Sequence, residues 1–363
     1  MMSRIDRSET VGRTGSAPTT VSSLPPHRAA RVEDGFYALV AHFLRRRGWR
    51  PRVLTYTGYG ADGWVRVLGR VLLTPPGTRH RDLEDGRRGW RRFLSAKLAG
   101  VPVTIDVGGQ CHQVCSARGG YIDEVVTADL ASGSAQALLC AEGSPATAAP
   151  LRIIGPGPGH GVVSDIDDTV MITALPRPLL AFWNTFIRTE ASRRPVPGVA
   201  HLYRELLAAD PDTFIVYLST GAWNVAPALE TFLARHGFPT GPLLLTDWGP
   251  TPEGWFRSGR EHKRTQLRRL LTELPQLDWL LVGDDGQHDP ELYAEAAEQA
   301  PDRVRAVAIR QLTPTEQVLT HGTPDPLAEL PWAPKPPTSP VPQVRAPDGF
   351  GLLATLRSRG LFG

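Results

Sequence analysis

Lysine is almost missing from this chain: Lys97, Lys263 and Lys335 are the only three among 363 residues, and arginine supplies the other basic side chains. Where arginine is used so freely, a lysine can mark a position at which a planar guanidinium will not serve. Cysteine is scarce as well. Cys111, Cys115 and Cys140 are an odd number in a large chain, which excludes a disulfide scaffold and reads most simply as cytosolic thiols. Cys111-His112-x-x-Cys115 looks like half a metal site, but no second ligand pair follows at structural-zinc spacing, so it is read as strand packing. No apolar run approaches the ~18 residues of a membrane span, which excludes a polytopic membrane protein. The first thirty residues also lack the apolar stretch of a secretory signal.

What is present is an ordinary globular mixture, 41% hydrophobic and 21% charged. The length predicts two domains, since one domain usually holds roughly 100–200 residues. The net charge of +3 conceals an asymmetry: residues 1–150 carry 20 Lys+Arg against 13 Asp+Glu, or +7, leaving −4 for the remainder. A basic half beside an acidic half suggests that one of them meets an anionic surface. A merely solvated surface is the plainer alternative. No nucleic-acid partner is expected.

Residues 1–30 are Ser/Thr/Arg/Pro-rich without periodicity and read as a disordered leader. From Glu33 to Arg47, the residues Phe36, Leu39, Val40, Phe43 and Leu44 fall at helical spacing, as in a core-facing helix or one lying on a membrane. Val53–Thr57, Trp64–Leu68, Val101–Val107 and Tyr121–Val126 read as strands, with a charged helical insertion near 82–98. A β-rich antiparallel domain over 31–155, sandwich-like or a barrel, follows. After residue 155 apolar strands alternate with helices: 161–163, 214–218, 243–245, 279–282 and 304–309 against 200–209, 226–236, 263–274 and 290–299. That alternation predicts an α/β domain with a parallel sheet over 156–320, whose site lies beyond the carboxyl ends of the strands. A Pro-rich linker and a short apolar, basic tail fill 321–363; the tail could dock on membrane, on a partner or on the protein itself.

The strand ends are consistent with one another. The first closes in Asp165-Ile166-Asp167-Asp168-Thr169, where period-two geometry lets Asp165 and Asp167 face one crevice. Carboxylates so close raise one another's pKa unless a cation intervenes, and oxygen-only ligation favours Mg²⁺. The second closes in Ser219-Thr220-Gly221, a hydroxyl and small residues whose amides can meet an anion. Lys263 opens the helix after the third strand. The fourth closes in Gly283-Asp284-Asp285, with Asp289 five residues beyond Asp284. Each signal is weak alone, but four in order converge in space if the sheet forms.

Asp165-x-Asp167-x-Thr169, Ser219, Lys263 and Gly283-Asp284-x-x-x-x-Asp289 are similar to the four motifs of the haloacid dehalogenase-like phosphatase superfamily, over about residues 160–312. In finer detail the first strand end, Ser219-Thr220-Gly221-Ala222-Trp223-Asn224, Arg257-Ser258-Gly259-Arg260-Glu261-His262-Lys263 and Gly283–Pro290 resemble the App1-type phosphatidate phosphatase catalytic domain. Tyr56-Thr57-Gly58-Tyr59-Gly60 and Val67-Leu68-Gly69-Arg70-Val71 resemble the β-rich domain that precedes it in bacterial members. Asp285 departs from the pattern, adding a charge where a small residue is expected.

The resemblance implies a Rossmann-like haloacid dehalogenase-type fold with a minimal cap. It implies Asp165 as nucleophile and Asp167 as the acid that protonates the leaving alkoxide and then takes a proton from water. It implies a Mg²⁺ site from the Asp165 side chain, the Asp167 main-chain carbonyl and Asp284, with Asp289 bracing the metal and Lys263. Ser219 and Lys263 would hold phosphate oxygens, while Thr169, Thr220 and Gly221 shape the cradle. Dehalogenation does not fit, because a departing halide needs no proton from Asp167. Between Thr169 and Ala200 lie only about thirty residues, including Ala181–Phe186, too few for a separate cap domain. Phe182, Trp183, Phe186 and Trp223 could rim an approach for acyl chains or could be core. The expected enzyme is cytoplasmic and peripheral at the inner membrane face; it turns phosphatidate, a phospholipid, into diacylglycerol and phosphate on an anionic membrane surface. Two rivals stand beside it: a Mg²⁺-dependent phosphatase of a soluble phosphomonoester or phosphoprotein, and a membrane- or protein-binding module with an idle phosphatase domain.

Overall fold

The computed structural model describes residues 40, 42–77, 98–172, 194–246, 259–286, 288–321 and 340–362. The leader, Phe36 and Leu39, most of the charged insertion, the Ala181–Phe186 segment, Arg257, Ser258, Gln287 and most of the Pro-rich linker lie outside those residues.

Among the described residues, seven strands form the first sheet: β1 (Arg50–Ala61), β2 (Trp64–Thr74), β3 (Pro102–Val107), β4 (Gln110–Cys115), β5 (Tyr121–Thr127), β6 (Gly133–Ala141) and β7 (Thr147–Ile153). Their order is β4-β3-β6-β7-β1-β2-β5, and all pairs are antiparallel except β1 with β7. Of the sandwich and barrel readings, this arrangement is nearer the barrel. One sheet curls until its edges approach, where the Thr127 hydroxyl lies 3.5 Å from Gln110 Oε1 on β4. The β3–β4 hairpin turns on Gly108 and Gly109, both at positive φ (59° and 74°), which the tight two-residue connection demands.

A register shift between Tyr56 and Tyr59 bends β1 and resets its alternation. Leu54, Tyr56 and Tyr59 consequently all face the second half of the molecule and share its core, together with Leu68, Leu72 and Tyr121. Val53, Val65, Val67, Val71 and Leu73 fill the barrel-like interior with Val103, Ile105, Leu139 and Leu151. Val40, Leu44 and Trp49 pack on that interior, so the described end of the first helix faces core, although Phe43 is exposed. Cys111 and Cys115 sit exposed on β4. Four residue steps of strand separate them, about 13 Å, too far to share an ion.

The second sheet has, among the described residues, six parallel strands in the order β10-β9-β8-β11-β12-β13. They are β8 (Gly159–Asp165), β9 (Phe214–Ala222), β10 (Leu243–Thr246), β11 (Leu277–Asp284), β12 (Val304–Arg310) and β13 (Gln343–Ala346). The helices are α1 (Val199–Ala209), α2 (Ala226–Arg235), α3 (Gly259–Glu273), α4 (Asp289–Gln299), α5 (Pro314–His321) and α6 (Gly349–Ser358). Near-continuous burial along β9 and β11 fits strands covered on both faces. The chain runs outward from β8 to β10, then returns to β11 on the other side of β8, placing the topological switch between β8 and β11.

The tail docks on the protein itself. β13 extends the sheet beside β12, and α6, capped by Asp348 through the Gly351 amide, buries Leu352, Leu353 and Leu356. Arg357 pairs with Glu205 on α1.

The two halves meet through a charged lock. Arg66, almost fully buried on β2, binds Glu273 at the end of α3 and Asp123 on β5, while Arg269 on α3 reaches Asp123 at 2.9 Å. Burial pushes the Asp123 carboxyl up, but the two guanidiniums more than reverse this and hold it below the ordinary range. A depressed carboxyl stabilises the fold above its unfolded pKa of about 3.9 and loses that contribution as pH falls through the folded value. Asp123→Asn is therefore expected to melt below wild type at neutral pH, with the two midpoints converging as pH drops below about 4. Partial exposure of Asp123 keeps the effect to about 1 kcal/mol. A gap unchanged from pH 7 to pH 3 would refute the pairing.

Candidate active site

The carboxyl edge of the parallel sheet collects the acidic residues. β8 delivers Asp165 fully buried; the chain then turns sharply, with the Val170 and Met171 amides donating back to Ile166 O at 3.0 and 3.1 Å. Asp168 takes a left-handed φ of 57° in this turn, uncommon for a residue with a Cβ. It is held there from two sides: its amide donates to Met171 O at 2.8 Å, and its carbonyl accepts from Arg310 Nη1 at 2.7 Å.

Across the switch point β11 delivers Asp284, whose Oδ1 accepts the Gly286 amide at 2.7 Å. Asp289 opens α4 and leans back over Gly283, where any Cβ would come within 2.6 Å of its Oδ2 and 2.7 Å of the Tyr293 ring. Glycine at 283 is what allows the approach. Lys263, in the first turns of α3, inserts its ammonium 2.6 Å from both Asp165 Oδ1 and Asp289 Oδ1. Ser219, in the last half of β9, donates to Asp167 Oδ2 at 3.0 Å and accepts the Gly221 amide at 2.9 Å. The Thr169 hydroxyl lies 3.4 Å from Asp284 Oδ2. The Thr220 carbonyl is tied to the Thr246 hydroxyl on β10. All nine residues singled out from the sequence thus line one edge of one sheet.

The charge there is unbalanced. Carboxylate oxygens of Asp165, Asp284 and Asp289 lie within 4.8 Å of one another, all buried, against the Lys263 ammonium. Burial first, and then its acidic neighbours, push Asp165 well above the carboxylate range despite Lys263; the same causes raise Asp284. Burial alone would lower Lys263, but Asp165 and Asp289 more than offset it and hold the amine charged. Asp165 Oδ2, Asp167 Oδ1 and Asp289 Oδ2 are buried and accept no hydrogen bond among the described residues. Hard carboxylate oxygens of Asp165, Asp284 and Asp289 gathered at one buried point fit a divalent cation of the Mg²⁺ type.

Two contributors escaped the sequence reading, Arg310 and the Tyr203–Ser164 pair. Arg310, buried at the end of β12, joins Asp168 O, Glu316 and Pro347 O. A charged residue closing an apolar strand at the same sheet edge was a usable signal. Tyr203 on α1 donates to Ser164 Oγ at 2.6 Å, and Ser164 donates to Asp165 O at 2.7 Å, a buried relay with no sequence signature. Asp285, the departure from pattern, braces loops: its Oδ1 accepts the Leu312 amide at 2.8 Å and its own amide donates to Arg310 O. Of the aromatic rim, Trp223 is buried against Tyr56 and Tyr121, so it serves as core. Phe182, Trp183 and Phe186 lie outside the described residues.

Comparison with known proteins finds likenesses over the half of the chain that holds this site. Residues 160–311 match the family model described as Phosphatidate phosphatase APP1, catalytic domain. Phosphatidate phosphatase APP1 of Saccharomyces cerevisiae is 30% identical over 155 residues, which are 42% of this chain and 26% of that protein. An uncharacterized protein of Schizosaccharomyces pombe is 24% identical over 155 residues, 42% of this chain and 25% of its own length. The chain thus spans about a quarter of these curated relatives. Among solved structures, a carbohydrate acetylesterase from Xanthomonas citri aligns at 11% identity over 72% of this chain and 70% of its own, with a TM-score of 0.25, too slight a likeness to argue from.

Proposed function

We propose, on the premise that residues 160–311 are an App1-type catalytic domain, that this chain is a Mg²⁺-dependent phosphatidate phosphatase working through an aspartyl-phosphate. The observation that carries the reading is the buried group of Asp165, Asp284 and Asp289 around Lys263 inside that domain. The parallel sheet, its switch point at β8 and β11 and the order of the strand-end motifs support a haloacid dehalogenase-like assignment with little cap. We read 31–155 as the β-rich domain and 156–320 as the catalytic domain, with the tail completing the latter's sheet.

In this mechanism Asp165 attacks phosphorus and the bond to the lipid oxygen breaks. Asp167 gives its proton to the departing alkoxide of diacylglycerol, then removes one from the water that cleaves the aspartyl-phosphate. Ser219 orients the Asp167 carboxyl in the resting site, and exchanges it for a phosphate oxygen when substrate enters. Lys263 meets a second phosphate oxygen while Asp289 holds its ammonium in place. Asp165, Asp284, the Asp167 carbonyl and Asp289 would hold Mg²⁺, which when bound offsets the negative charge of carboxylates and phosphate. A basic first half, and the absence among the described residues of any helix long and apolar enough to cross a membrane, suit peripheral action on an anionic bilayer.

The test is phosphate release from phosphatidate, lysophosphatidate and a soluble aryl phosphate, each with Mg²⁺ and with chelator. Phosphatidate in anionic vesicles should be turned over fastest, and chelator should abolish release. Faster turnover of the aryl phosphate, with no response to vesicles, would move the substrate to the soluble class. No release from any of the three would leave the binding-module reading.

A further inference from the structure

We propose that the β-rich domain positions the phosphate-binding side of the site, acting through Tyr56 on Trp223 and through Arg66 on Glu273. The inference rests on the phosphatase reading above, and gives the β-rich domain a catalytic duty. Ser219 lies four residues before Trp223, and the peptide between them is the proposed phosphate cradle. Tyr56, the last residue of β1 before its register shift, stacks on the Trp223 ring with centroids 4.6 Å apart and planes 30° apart. Tyr121 flanks the same ring at 6.4 Å. The end of the cradle therefore rests on side chains from the other domain.

The second phosphate-facing group is seated likewise. Lys263 and Glu273 are ten residues apart on α3, about 15 Å of one rigid helix. Lys263, Leu267 and Leu270 form its buried stripe, so rotation or sliding of the helix would displace the ammonium. At the far end, Arg66 grips Glu273 through Nε and Nη2, the Tyr59 hydroxyl donates to it at 2.8 Å, and Arg269 is tied to Asp123. Tyr59 also packs on Phe214, where β9 begins, at 5.8 Å. β9 and α3, which carry Ser219 and Lys263, thus both lean on the β-rich domain. The carboxylates Asp165, Asp284 and Asp289 come instead from the central strands and α4. A disturbed contact should therefore alter phosphate binding before metal binding. Tyr56, Arg66 and Trp223 are positioning residues, since they act through Ser219 and Lys263.

The experiment compares the full-length wild type with Tyr56→Leu, Tyr56→Phe and Trp223→Phe. It measures KM and kcat on a soluble aryl phosphate, binding of inorganic phosphate by calorimetry, and Mg²⁺ affinity from the metal dependence of the melting midpoint. Loss of the ring stack in Tyr56→Leu should raise KM and weaken inorganic phosphate about three- to tenfold, with Mg²⁺ affinity unmoved. Tyr56→Phe keeps the stack and should stay near wild type. Tyr56→Leu that folds with unchanged KM and phosphate binding overturns the proposal. So does a fall in Mg²⁺ affinity by the same factor, which is general loosening. If Tyr56→Leu does not fold, Trp223→Phe is judged on the same readouts. A wild type inert on every phosphomonoester would sink the proposed activity instead, while calorimetry with inorganic phosphate still compares the variants.

Discussion

Asp165→Asn should abolish phosphate release, by a factor on the order of 10⁴ or more, because an amide of the same shape cannot form the aspartyl-phosphate. The change is nearly isosteric in a fully buried position, so loss of activity through misfolding is not expected. Stability gives an independent check of sign. Burial and the neighbouring acids hold the Asp165 carboxyl well above its usual range, meaning that its ionised form at neutral pH costs folding free energy. A neutral amide removes that cost and one of the like charges, at the expense of one contact to Lys263, which retains Asp289. In chelator, Asp165→Asn is expected to melt at or above wild type. With Mg²⁺ added the order should reverse, since the wild type gains midpoint by binding the cation and the variant, short of one ligand, gains less. Acid-quenched wild type given labelled phosphate ester should retain label on the chain, and the variant should not. More than a tenth of wild-type turnover in Asp165→Asn would remove Asp165 as nucleophile.

The four strand-end signals were readable because a parallel sheet writes itself into sequence as short apolar runs, and each run here stops at its polar residue. Asp165 after Val162-Val163, Ser219 after Phe214–Leu218 and Asp284 after Trp279–Val282 are local facts about a strand and its end. β4, β6 and β7 left weaker traces. Their alanine, glycine, serine and glutamine content lacks β-branched bulk, and Pro150 argues against a ladder. Pro150 is tolerated because β7 pairs with β1 only from Leu151 onward. Tyr203, Arg310 and Tyr56 act across 38, 142 and 167 residues of chain, on Asp165, Asp168 and Trp223 respectively, so no window of sequence could connect them. The same holds for the tail. Its apolar face was visible, but only the open edge of β12 and the groove beside α1 say where that face goes.

Lys263→Met should be the most damaging single change to the metal-free fold. The ammonium is about as buried as the carboxylates it separates, and it lies 2.6 Å from oxygens of two of them. Removing it leaves buried Asp165, Asp284 and Asp289 with no opposite charge close by among the described residues. Breaking a buried pair from one side typically costs about 3–5 kcal/mol, because the orphaned charge stays desolvated. Two of the three carboxyls are already held above their usual range with Lys263 present, so part of the loss would be met by their taking up protons. Chemical denaturation in chelator at pH 7 should therefore show a loss in that range, shrinking as pH falls and the carboxyls protonate. Mg²⁺ should restore more stability to Lys263→Met than it gives wild type, since the cation then supplies the positive charge missing from the cluster. Phosphate release should remain depressed about 10²- to 10³-fold even at saturating Mg²⁺, because no donor replaces the ammonium at the phosphate. Lys263→Arg separates charge from shape: the guanidinium preserves the charge but needs a wider, planar slot than the one between Asp165 and Asp289. It should recover part of the stability and little of the activity. Unaltered metal-free stability in Lys263→Met would mean that the acidic cluster is not held together by this lysine, and the electrostatic basis of the site would have to be sought elsewhere.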